Sequence, residues 1–417
     1  MTQRVRAVVA IPFAKPLLAL SLLGRLHLSG LPVALSFLVV EWTGSYAEVG
    51  VITGALAVGQ AIAGPVRGKV ADRSSASRLL VVTGLGFGLG LVALIALSAV
   101  LPPRAWPLIA ALATLTGLLL PPVSQLSRAT WPRIAEGSRL ESLYALEATG
   151  QDIVAMGGPL LASVVVSVAG PEAAVGLSAL LAVLGALGFA LAVRHAGLSS
   201  APARATAESG RERTLLADPV LARALLVAFL IMASLFSVNL SLVAWGRAAG
   251  RPELAGALIA VWTLGSAVGG FVVAGRGGRP RFGLRLAGLA AGTAAVALLL
   301  PPVLDSTPWW LVALVLLIGG TAISPTLAVS NSRVGALSPE HRRAEAFGWL
   351  ATATTGGAAV MLPVAGGLLD LAGPASAVGV GAVFAALAGL LGATLPTTRP
   401  TARPGRDGAA APVPSEA

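Results

Sequence analysis

Apolar stretches of about twenty residues recur along this chain, separated by short segments rich in charge and proline. A bilayer's hydrocarbon core is roughly 30 Å thick and takes about 20 apolar residues to cross. Lipid offers no partner to unpaired backbone groups, so such stretches must close their hydrogen bonds internally, as helices. The predicted spans are 17–40, 47–66, 78–101, 106–126, 140–168 and 172–193, then 221–245, 254–275, 284–304, 308–330, 344–370 and 374–396. Only 11% of the 417 residues are charged, against about 25% in a typical soluble protein. With a mean hydropathy of +0.85, the expected fold is an all-α membrane protein of about twelve transmembrane helices.

No cysteine occurs, which excludes disulfides, thiolate metal sites and cysteine nucleophiles. Met1 to Lys15 is basic and leads into an apolar stretch longer than a cleavable signal core, so that stretch is expected to be the first span. A cytoplasmic N-terminus puts all but Arg25, Arg104, Arg247 and Arg251 of the 29 lysines and arginines in cytoplasmic loops and tails. Arg25 falls inside a span. The bias predicts a multi-pass cell-membrane protein with both termini cytoplasmic. Anionic lipid headgroups then account for the net charge of +11, and no nucleic-acid partner is expected. Trp42, Trp106, Trp131, Trp245, Trp309, Trp310 and Trp349 fall near predicted helix ends, as in an interfacial belt. Trp262 lies deep in the eighth span, where it would pack, face lipid or stack on a ligand.

The chain repeats itself. A shift of 204 residues places Arg139-x-Glu141 on Arg343-x-Glu345, Pro121 on Pro325 and Pro159 on Pro363. A shift of 206 aligns Gly59 with Gly265, Gly64 with Gly270 and Arg73 with Arg279, and brings Glu48-Val49-Gly50 near Glu253-Leu254-Ala255-Gly256. A direct repeat sharing the same loop side requires an even number of spans per copy, here six, and gives parallel halves about an axis along the membrane normal. The expected division is 1–193 and 220–397 for the halves, 194–219 for a cytosolic linker and 398–417 for a disordered tail.

Between the second and third spans runs Gly64-Pro-Val-Arg-Gly68-Lys-Val-Ala-Asp72-Arg73-Ser-Ser-Ala-Ser-Arg78. It resembles the G-x-x-x-D-R signature of the major facilitator superfamily, and the resemblance covers the whole hydrophobic map. In that family the loop gates the cytoplasmic side, which implies a charge-assisted contact for Asp72 with an arginine or a helix N-terminus. Gly68, Asp72, Arg73, Arg78 and Arg128 form the expected gate, with Arg128 the candidate arginine. This loop departs from the family pattern in keeping only Arg78 of the usual arginine run, and Gly278 stands where the second half would repeat Asp72. Gly157-Gly158-Pro159 in the fifth span and Pro363-x-x-Gly366-Gly367 in the eleventh resemble the G-P-x-x-G-G element of drug/proton antiporters. Small residues there would let helices approach, and proline would bend them; ordinary membrane packing uses the same residues.

Charges inside a span cost at least ~2.5–3.5 kcal/mol on insertion scales and mark a pathway or a pair. Arg25, Glu147 and Asp152 are the candidates. At 100° per residue Ser21, Arg25, Ser29, Pro32 and Ser36 form one stripe, expected to face a cavity, and His27 points away. Glu147 and Gln151 share a face, whereas Asp152 aligns with Met156, Pro159 and Ser163, so the two acids are expected in different surroundings. One acid would couple protons or cations, or pair with Arg25. Ser234, Ser237 and Ser241 make a polar line on the seventh span, with Asn239 off it. Arg25, Glu147, Gln151, Asp152 and Asn239 are therefore the expected transport and coupling set, and the histidines lack metal-ligand spacing.

These features predict a secondary transporter working by alternating access, a proton-driven exporter of small amphipathic compounds of multidrug type. Uptake or efflux of a sugar or small metabolite is the alternative, and a non-transporting receptor or scaffold would have no need of buried acids. No phosphate-cradling G-x-x-x-x-G-K-[ST] loop and no catalytic constellation is found, so neither an ATP-driven pump nor an enzyme is expected. The expected partners are a small-molecule substrate, protons and the bilayer, with no cofactor and a monomeric chain.

Overall fold

The computed structural model describes residues 11–73, 75–198, 215–276, 282–338 and 343–396. The predicted linker's residues 199–214 and the tail 397–417 lie outside the described residues. Eleven described helical stretches are long and apolar enough to span a membrane. One of them, 149–195, holds 47 residues, or about 70 Å of helix, more than twice a hydrocarbon core. It doubles back at Gly170, whose φ of 89° and ψ of 166° suit glycine alone. Among the described residues the helices therefore make up twelve candidate crossings.

In order, the helices are α1 (Ala14–Thr43), α2 (Tyr46–Arg73), α3 (Ala76–Val100), α4 (Trp106–Leu118), α5 (Val123–Ile134) and α6 (Gly137–His195). After them come α7 (Pro219–Ala248), α8 (Pro252–Arg276), α9 (Phe282–Leu299), α10 (Trp309–Gly320), α11 (Ile323–Leu337), α12 (Arg343–Ala372) and α13 (Pro374–Ala393). Alternation defines a near face, where α2 gives way to α3, and a far face, where α1 gives way to α2. Local chemistry sets the ends. Asp218 accepts hydrogen bonds from the Val220 and Leu221 amides, and Pro219 follows at the first helical position, so α7 starts there. At the far face Ala169-Gly170-Pro171 and Ala372-Gly373-Pro374 reverse the chain alike, Gly373 holding φ 77° and ψ −179°.

The fourth crossing corrects the expected boundary at residue 126. Pro121 and Pro122 interrupt it, and it resumes as α5 to Ile134, because proline withholds an amide and disfavours helix just before itself without preventing a restart. The tenth crossing breaks at the matching place, between Gly320 and Ile323. Helices pack through small residues, as lipid-embedded helices must without a hydrophobic drive between them: a Cβ on Gly24 would meet the Gly185 backbone at 3.3 Å, and one on Gly292 would meet Gly319 Cα at 2.7 Å. Large apolar side chains such as Leu89, Val168 and Leu371 are left exposed on the outer surface.

Candidate functional site

Between the two sets of six crossings lies a cavity of two lobes sharing Leu28, Pro32, Phe236 and Leu362. The first lobe, about 260 Å³, takes Ser29 and Ser36 from α1, Pro159 from α6, Asn239 from α7 and Trp262, Thr263 and Ser266 from α8. The second, about 240 Å³, is lined by Thr53, Gln60, Met232, Thr354 and Thr355 among apolar neighbours. Among the described residues no charged side chain lines either lobe. Most hydroxyls are already engaged: Ser29 donates to the Val154 carbonyl at 2.9 Å, Ser36 to Pro32 and Thr263 to Ile259. Asn239 differs, since its Oδ1 is buried without a partner. Trp262, 6% exposed, is thus a wall of the cavity.

The α1 stripe divides. Ser29, Pro32 and Ser36 reach the cavity, Ser21 is buried against its own helix at Leu18, and His27 packs on Phe87 with ring centroids 5.3 Å apart. The serine line of α7 turns from the cavity: a Cβ on Gly381 of α13 would stand 3.0 Å from Ser237 Cβ. Asn239, on the other side, is the α7 polar residue that faces the lobe.

One turn nearer the near face is a polar chamber of about 320 Å³, lined by Arg25, Arg128, Tyr144, Glu147, Gln151 and Asp152. Arg25, fully buried, pairs with Glu147 at 2.5 Å and donates to Gln151 Oε1 at 3.0 Å and to Ser127. Trp131 Nε1 donates to the second Glu147 oxygen at 2.7 Å. This corrects the interfacial reading of Trp131, which is fully buried because its indole N–H serves the carboxylate. Asp152 shares the chamber, against the expectation of separate surroundings, because the cavity is wide enough to take side chains from both edges of one helix face. It is exposed and has no hydrogen bond or ion pair among the described residues.

Of the expected gate, the surroundings of Gly68 and the side chains of Asp72 and Arg73 lie outside the described residues, and Arg78 is exposed at the start of α3. Arg128 faces the chamber, its Nε 4.0 Å from Glu147. The small-residue elements build two seams between the halves. A Cβ on Gly50 would meet Leu362 C at 2.6 Å and Pro363 Cα at 2.7 Å, joining α2 to α12. Its repeat mate Gly256 would meet Ser163 Cβ at 2.7 Å beside the Pro159 carbonyl, joining α8 to α6. Gly158 packs on Ser29 and Gly30 of α1, and Gly366 on Tyr46 and Ala47. Gly367 contradicts the packing expectation, with no atom within 4 Å of a Cβ built there, because it points off the seam.

At the far end of the first seam is a contact that the sequence reading missed. Asp370 of α12 accepts hydrogen bonds of 2.8 Å from Ser45 Oγ and from the Tyr46 and Ala47 amides at the start of α2. At the second seam Ser167 of α6 donates to Glu253 of α8 at 3.3 Å. The available signal was positional: each pair lies beside a far-face Gly-Pro reversal or a span start that the repeat superposes.

The family model of the Major Facilitator Superfamily matches residues 17–332. No curated protein sequence matches the chain. Solved structures that resemble it include a point mutant of the nucleoside transporter NupG, with a TM-score of 0.69 and 16% identity over 91% of this chain and 98% of that one. The peptide transporter POT in complex with alafosfalin gives 0.65 and 16% over 94% and 97%. The inward-open xylose transporter XylE from E. coli gives 0.69 and 12% over 92% and 96%. At these identities the likeness is one of fold.

Proposed function

The chain belongs to the Major Facilitator Superfamily, and from that premise we propose that it exports small amphipathic molecules across the cell membrane in exchange for protons. The observation that carries this reading is the two-lobed cavity between the halves: among its described lining residues none is charged, and Asn239 Oδ1 is a buried polar atom without a partner. A buried polar group of the substrate needs a partner. A hydroxyl-rich sugar or nucleoside would leave most of its groups unmatched here, and a peptide's charged ends would meet no counter-charge. A mostly apolar molecule with one or two polar atoms fits, its flat portion against Trp262 and its polar atom at Asn239.

For coupling, Glu147 is committed to Arg25, Ser127 and Trp131, whereas Asp152 has no partner among the described residues and opens to the chamber. Asp152 is the carboxyl that exchanges protons, and the Arg25–Glu147 pair holds α1 to α6. The basic loops support a cytoplasmic near face. Residues 1–193 and 220–397 rock as two bodies joined by 194–219, and one chain holds the complete cavity, so a monomer suffices.

Purified protein in proteoliposomes, tested against paired compounds of equal size with and without extra hydroxyls or charges, decides the matter. Flux of the apolar members driven by an imposed pH gradient is expected. Gradient-independent flux, or preference for the sugars, nucleosides or peptides of the panel, refutes it.

A further inference from the structure

We propose that Asp370 is the positioning residue of the far-face gate: its carboxylate, bound to the first turn of α2, holds the two halves together on that side and sets the balance between the two access states. The inference needs only alternating access between the halves, and stands whichever substrate is carried.

A lone surface carboxylate contributes little to stability. Asp370 is exposed, yet its setting differs from that of a surface ion pair. Two of its three donors are the Tyr46 and Ala47 amides, which open a helix and have no carbonyl one turn earlier to bond. The third is the Ser45 hydroxyl. A negative charge there also meets the positive end of the α2 dipole, and charge-assisted bonds are the stronger kind. The Arg247 guanidinium of α7 acts electrostatically on the Tyr46 side chain, so a third helix, from the same half as α12, bears on the same turn.

The contact crosses the halves, and its geometry exists only while α2 and α12 touch. The seam beneath it sets Gly50 and Gly366 against opposing backbone and Gly54 against the Ala359 carbonyl and the Pro363 ring. The other far-face seam carries, among the described residues, the longer bond of Ser167 to Glu253 at 3.3 Å, with Arg251 on Glu253 at 3.1 Å from within the same half. The far face is thus latched unequally. The α6–α8 side parts first, and release of Asp370 completes opening.

The absence of cysteine makes the test direct. Spin labels at introduced cysteines report one distance across the far end of α2 and α12 and a second across the near face, in lipid nanodiscs. Asp370→Ala should raise the far-open to far-closed ratio about tenfold, the worth of one charge-assisted hydrogen bond. Ser45→Ala should raise it less. Equilibrium substrate binding should stay within about twofold while the turnover rate changes, a split that general misfolding does not produce. Unchanged far-face distances in Asp370→Ala overturn the proposal. So does an equal broadening at both faces, and if Asp370→Ala does not fold, Ser45→Ala with wild-type distances overturns it alone.

Discussion

Replacing Gly366 by alanine probes the α2–α12 seam at a single atom. The new Cβ would stand 2.7 Å from the Tyr46 carbonyl carbon, nearer still to its oxygen, and 3.1 Å from Ala47 Cα. Ordinary contact begins at 3.4 Å, so the helices must part by at least about 0.7 Å there. Every obstacle is backbone and cannot swing aside. Overpacking of this kind costs ~1–3 kcal/mol, and it acts only while the seam is shut. A penalty of that size moves a two-state ratio about 5- to 150-fold, toward the far-open form. Gly367→Ala, one residue on, meets no atom within 4 Å; relieved of glycine's entropy in a helix, it should stabilise the protein by roughly 0.5–1 kcal/mol. Labels on Glu41→Cys and Leu371→Cys, both exposed near the far face, would read the separation by pulsed dipolar spectroscopy. Lengthening in Gly366→Ala alone is expected. Identical distance distributions in the two variants would refute the seam argument.

Glu147→Gln strands the fully buried Arg25 charge and should cost ~3–5 kcal/mol, read as a fall in the thermal unfolding midpoint in detergent. The double variant Arg25→Leu with Glu147→Leu should recover part of that, the remainder being the Trp131 N–H left without its acceptor; no recovery would mean that the pair does more than neutralise itself. Asp152→Asn should leave folding intact and abolish the response of substrate flux to a pH gradient, and full retention of that response would remove Asp152 from coupling. Asn239→Leu should weaken binding of compounds that carry a hydrogen-bonding group by ~1–3 kcal/mol, about 5- to 150-fold, and spare matched compounds without one. Equal losses for both sets, by isothermal titration, would exclude Asn239 as the polar anchor.

Hydropathy and the 204-residue offset made the architecture legible, because crossing a bilayer demands long apolar helices and a repeat reproduces its own contacts. Gly50 and Gly256, aligned by sequence, do meet Pro363 and Pro159, themselves aligned. Angular position on α1 identified Ser29, Pro32 and Ser36 as cavity residues and sent His27 elsewhere. It could not separate Ser21 from them, since a helix angle says which side a residue faces and not how far the cavity extends. Trp131 and Asp370 escaped for another reason. A tryptophan or an acid near a span end looks the same whether it faces water or a partner 16 or 324 residues away, and only the fold brings the partner.

The scaffold repeats, but its chemistry does not. Carried forward by 204 residues, Ser127, Trp131, Glu147, Gln151 and Asp152 fall on Asn331, Gly335, Ala351, Thr355 and Gly356, and none of the latter is ionisable. The charged chamber therefore belongs to the first half alone, whereas Asn239 and Trp262, the polar anchor and the aromatic wall, come from the second. Two helices have side chains in both places: α1, with Arg25 in the chamber and, one turn on, Ser29 in the lobe, and α6, with Asp152 in the chamber and Pro159 in the lobe. A change in chamber charge loosens or tightens Arg25 within about 6 Å of helix from the substrate wall. Coupling then requires no long relay. It requires α1 to be held rigidly to α6, which is what the Gly30–Gly158 approach and the Ser29 bond to the Val154 carbonyl accomplish. Under the proposed exchange, a proton acting on one half would thus bias a cavity lobe lined mainly by the other.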